Sequence, residues 1–129
     1  EDKLLQYLTE IKRVLKPGGE FYLSTLNLKH TMKSPLTYEK NPAHCKEFTL
    51  IELKDLLSKV FSDIRIYGLS LTLKHGFYLR LKKIGIFNLL PNAINPVSKF
   101  YKNVTTKDFK ITQGNLKKAI DFICVCKKE

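Results

Sequence analysis

A chain of 129 residues that is 43% hydrophobic holds enough apolar material for one compact core, and it lacks the composition of a disordered segment. No apolar run approaches a membrane span and the first residues carry no signal-peptide segment; a cytoplasmic protein is expected from its cysteine usage. The net charge of +11, from 23 Lys and Arg against 12 acids, has two accounts: a lysine-rich solvated surface, or attraction to an anionic partner such as a phosphorylated acceptor, a membrane face or RNA.

In chain order, Leu4, Leu5, Leu8, Ile11 and Leu15 recur at three- and four-residue steps, which predicts an amphipathic helix over 2–16. Lys12, Arg13 and Lys16 cluster in its last turns, where the helix dipole favours cations. Pro17 ends the helix, and Gly18 and Gly19 supply a tight reversal. Phe21 to Thr25 then read as a strand over about 20–26, suited to a sheet packed on both faces.

Thr49 and Glu52 have capping-box spacing, and Leu50, Leu53, Leu56, Leu57 and Val60 give the buried face of a helix over 50–60. Residues 72–107 predict two or three short helices broken by Pro91 and Pro96.

Within that insertion Lys74, His75, Arg80, Lys82 and Lys83 alternate with Phe77, Tyr78, Leu79 and Leu81, but no RNA-binding motif is present and a nucleic-acid partner is not expected. Cys124 and Cys126 lie two apart on a strand, so they share a face and are poorly placed to bridge; reduced thiols are expected and no metal site is.

The string Glu10-Ile11-x-Arg13-Val14-Leu15-Lys16-Pro17-Gly18-Gly19-x-Phe21-x-Leu23-Ser24-Thr25 resembles the late signature of class I S-adenosylmethionine-dependent methyltransferases, notably the small-molecule and lipid group. There it spans the helix before the fifth strand, the turn and the fifth strand. That family often continues Ser-Thr-Pro-Asn; here Leu26 replaces the proline and Asn27 follows. Asn41-Pro42-Ala43-His44 and Glu47 to Leu53 are similar to the segment opening the next helix. Ser62 to Leu71, with Ile64, Ile66 and Leu69, is similar to the sixth strand (about 62–71), and Ala119 to Lys127 to the terminal strand (near 118–127), so the likeness covers about 1–71 and 108–129.

The resemblance implies an α/β fold, the C-terminal part of a Rossmann-like methyltransferase sheet with three strands. The last strand should run antiparallel between the other two, with flanking helices and a lid-like insertion at about 72–107. It implies S-adenosylmethionine as cofactor, held by a Gly-x-Gly loop and an acidic residue of the first half of such a domain. None of the six glycines forms that loop after a strand, so residues 1–129 are expected to be a partial methyltransferase domain, missing its N-terminal half and inactive alone. Strand 20–26 would then present an exposed edge prone to self-association.

Ligands of open α/β sheets sit beyond the carboxyl ends of the parallel strands, so Asn27, Lys29, Tyr38 and His44 are the expected acceptor-binding residues. His44 is the candidate base for an acceptor hydroxyl; its plainer role is a packing or capping contact ahead of the helix. The expected activity is methyl transfer to a small-molecule or lipid-like acceptor, with an anionic group as one account of the basic charge. The alternative is a non-catalytic, methyltransferase-like module that serves as an RNA or protein scaffold.

Overall fold

The computed structural model describes residues 2–32 and 46–129. In chain order they form helix α1 (Asp2–Val14), strand β1 (Glu20–Leu26), the single turn α2 (Leu28–Thr31), α3 (Leu50–Ser58), β2 (Asp63–Leu71), α4 (Leu73–Ile84), α5 (Pro96–Lys102), β3 (Phe109–Thr112) and β4 (Asp121–Lys127). Short 3-10 turns at Thr106–Asp108 and Leu116–Lys118 precede β3 and β4. The result is a mixed α/β fold whose sheet has the order β1-β4-β2-β3, with hydrogen-bonded neighbours antiparallel. Two compact units divide the chain, one of residues 1–69 with 112–129 and one of residues 70–111.

In the first unit, α1 stops at Val14 and a cation does cap its end, but a distant one. Lys128 Nζ donates to the carbonyls of Leu15 at 2.7 Å and Arg13 at 3.2 Å, acceptors that the helix itself cannot satisfy. Lys12 instead reaches the Val60 carbonyl at 2.6 Å. Gly18 takes φ 75°, the left-handed region, and its N–H donates to the Lys128 carbonyl at 2.8 Å, tying the turn to the end of the chain.

The register of β4 shows how the core is built. Phe21 faces Cys126, which faces Ile64; Leu23 faces Cys124, which faces Ile66. These side chains point to one side, where they meet Leu8 of α1 and Leu53, Leu56 and Leu57 of α3, with Phe61 and Phe122 completing the cluster. Both helices therefore cover the same face. On the other side Tyr22 is 64% exposed, so β1 alternates between core and solvent. That differs from the expectation of a strand packed on both faces: period-two alternation does not reveal how many faces have cover.

Because β4 is antiparallel to both β1 and β2, those two strands run in the same direction, linked through α3. β1 lies at one end of the strand order, with β4 as its one neighbour among the described residues. β3 is a fourth strand where three were expected. It has only four residues, Phe109 to Thr112, the shortest run over which apolar and polar alternation can mark a strand in sequence.

In the second unit, Asn95 caps α5, its side-chain oxygen accepting from Val97 N at 2.9 Å and Ser98 N at 3.2 Å. Pro96 occupies the first helical turn, where its missing N–H costs nothing; it opens a helix rather than breaking one. Val97 and Phe100 turn inward with His75 of α4, whose ring meets Phe100, Tyr101 and Phe109 edge-on at 5.3, 5.6 and 5.1 Å.

Candidate functional site

Beyond the carboxyl end of β1, the backbone turns at Asn27, which is 1% exposed. Its side-chain nitrogen donates to the Ala119 carbonyl at 2.7 Å and the Lys117 carbonyl at 3.5 Å, while its oxygen accepts from Lys29 N at 3.1 Å and caps α2. Its backbone N–H donates to Ile120 O at 2.9 Å, and the residue bridges Phe48 in parallel sense. Asn27 thus ties together β1, the approach to β4 and the segment before α3. Its amide is occupied with the fold itself.

Around it lies a cavity of about 200 Å³ lined by Asn27, Lys29, Thr49, Leu50, Lys117 and Phe122. Leu50, Ile51 and Phe122 form its apolar wall, with Asn27, the two lysines and Thr49 as the polar part. Thr49 accepts from Glu52 N at 3.3 Å, and Glu52 accepts from Thr49 N at 2.9 Å, completing the expected capping box. The Thr49 backbone N–H, then its hydroxyl, hold the Glu52 carboxyl below its ordinary pKa.

A second cavity, about 240 Å³, opens between α1, β1 and α3; Tyr7, Leu8, Ser24, Thr25, Phe48 and Leu53 are among its walls. Lys46 stands 4.9 Å over the Phe48 ring at this end of the strand. Glu47 is buried, and Thr31 of α2 donates its hydroxyl to the carboxylate. A buried carboxylate beside the end of β1 is the feature sequence reasoning missed. In the sequence Glu47 appears only as the start of the run leading into the helix, and no local pattern signals its burial.

Of the expected acceptor-binding residues, Asn27 and Lys29 are brought together at the smaller cavity. Tyr38 and His44 lie outside the described residues. Lys117 and Phe122 join the site from 90 or more residues away, a distance at which no spacing rule operates. Among the described residues, no group of three or more His, Cys, Asp and Glu side chains could hold a metal ion.

Comparison with protein-family models, curated proteins and solved structures finds no match.

Cys124 and Cys126 are free and buried, and burial pushes their thiols up to about 12 and about 11. Burial thus disfavours the thiolate form of both at neutral pH.

Proposed function

We propose that this chain is the acceptor-side part of a class I S-adenosylmethionine-dependent methyltransferase acting on a small or lipid-like acceptor. The observation that carries the reading is the strand arrangement: β1 and β2 share a direction, α3 connects them, and β4 returns antiparallel between them. That is the arrangement implied by the signature around Lys16-Pro17-Gly18-Gly19.

Methyl transfer is an in-line displacement, so the protein's work is mostly to position donor and acceptor, with removal of a proton where the acceptor needs it. S-adenosylmethionine would supply the electrophilic methyl group. In this reading the cavity of Asn27, Lys29 and Phe122 receives the acceptor, and His44 stays the candidate base. Glu47, buried at the same end of β1, positions the segment that leads into α3. Cofactor contacts belong to a glycine-rich half of the domain, whose last parallel strand would pair with the outer edge of β1.

The test joins sequence to binding. The reading expects the coding sequence upstream of Glu1 to specify a strand followed by Gly-x-Gly within roughly 100 residues. The longer product should bind S-adenosylmethionine in calorimetry where residues 1–129 alone do not. An unrelated upstream domain, or micromolar affinity of the 129-residue chain by itself, would overturn it.

A further inference from the structure

Residues 70–111 hold eight of the chain's lysines and arginines against one carboxylate, Asp108, whereas the other 87 residues balance fifteen against eleven. The same 42 residues hold eight of the twelve large apolar side chains left exposed among the described residues. Net positive charge, through a shortage of acids, and oily surface are thus concentrated in one unit, and α4 organises much of it.

The inner face of α4 is already occupied. Tyr78 stacks on Phe100 at 4.2 Å, His75 meets Phe100 and Tyr101, and Lys82 Nζ stands 4.8 Å over the Tyr101 ring. The outer face carries Leu73, Phe77 and Ile84 at positions i, i+4 and i+11, which align along one side of a helix. They are 91%, 58% and 65% exposed. Arg80 stands in the same stripe at i+7, with Lys83 beside it. After Gly85 ends the helix with φ 76°, Ile86 and Leu89 continue the exposed apolar surface, Leu89 at 97%.

We infer that this face docks on an anionic lipid bilayer, with Leu73, Phe77 and Ile84 entering the acyl boundary and Arg80 and Lys83 meeting headgroup phosphates. An apolar stripe flanked by cations is the design of a helix lying in the membrane plane. With 12 residues α4 is about 18 Å long, too short to cross the hydrocarbon layer. An RNA surface fits less well, because bases stack on aromatic rings and the exposed side chains are mostly Leu and Ile. Long basic side chains suit the boundary, with their stems among the lipids and their charges among the phosphates. The inference stands apart from the methyl-transfer reading, since no cofactor takes part.

The chain has no tryptophan, so Phe77→Trp places a lone fluorophore on the stripe. Vesicles of phosphatidylcholine with about one-third phosphatidylglycerol should bind this variant and shift its emission to the blue, at least about tenfold more tightly than phosphatidylcholine alone. Raising salt should weaken that binding, and Arg80→Gln with Lys83→Gln should reduce the preference for anionic lipid. Leu73→Glu with Ile84→Glu, both at exposed sites and checked for folding by circular dichroism, should weaken binding about tenfold or more.

Absence of binding, or equal binding by the Leu73→Glu, Ile84→Glu chain, would overturn the inference. So would self-association abolished by that pair, which would assign the stripe to a second copy of the chain.

Discussion

Replacing Asn27 with Ala removes the donor that holds the Ala119 carbonyl at 2.7 Å and the acceptor that caps α2. A buried partner is then left unsatisfied, so a loss of about 2–3 kcal/mol in urea unfolding is expected. Asn27→Asp keeps the acceptor yet should also destabilise, because it removes the donor and buries a charge. A second expectation concerns Gly68, where a Cβ would lie 2.7 Å from the Ala119 Cβ and 3.2 Å from Leu116. Gly68→Ala should cost about 1–3 kcal/mol through overpacking, measured the same way. The thiols give a chemical readout of the same core. With Cys124 pushed from 9.0 to about 12 and lying behind the helices, alkylation at mildly alkaline pH should be on the order of 10³ slower than for a free thiol. Mass spectrometry of labelled peptides from native and unfolded protein checks this. The reduced thiols were legible beforehand, but the hydrogen bonds of Asn27 were not: it has its partners at 117 and 119, and its sequence neighbours name neither.

Among the elements, α3 was the most legible, because cap and buried face are both local properties. Thr49, Glu52 and the leucines at 53, 56 and 57 predict the helix, and they form it. Glu52 has a lowered folded pKa, so its contribution to stability is present above the ordinary value of 4.5 and is lost as pH falls through the lowered one. Thermal melts of Glu52→Gln and the parent should therefore differ at neutral pH and converge in acid. Strand β1 is the opposite case. Its residues announced a strand, yet its place at the end of the order depends on which other strands are at hand. An open edge is a template for another chain, and self-association is the expected consequence. Ser24→Lys, at an exposed position on β1, should reduce it in sedimentation, since a charge on an edge strand opposes further pairing. No effect of that substitution would point to another contact.

Across the whole molecule, local chemistry determined what could be written along the chain: helix 2–16 ahead of a two-glycine reversal, the strand that follows it, the capping box, and two thiols two residues apart. These follow from periods of 3.6 and 2 and from the few residues that end helices, all of which act over a handful of positions. The resemblance, not spacing, supplied the strands at about 62–71 and 118–127 and the expectation that the last would lie between the other two. Tertiary structure alone decided which surfaces meet. It set α1 and α3 on one face of the sheet, closed the end of α1 with Lys128, and brought Lys117 and Phe122 beside Asn27. It also decided that His75 and Tyr78 turn inward in residues 70–111 while Leu73 and Phe77 stay in solvent. An apolar side chain records a preference for leaving water, but only the folded chain, by supplying or withholding a neighbour, determines whether that preference is met.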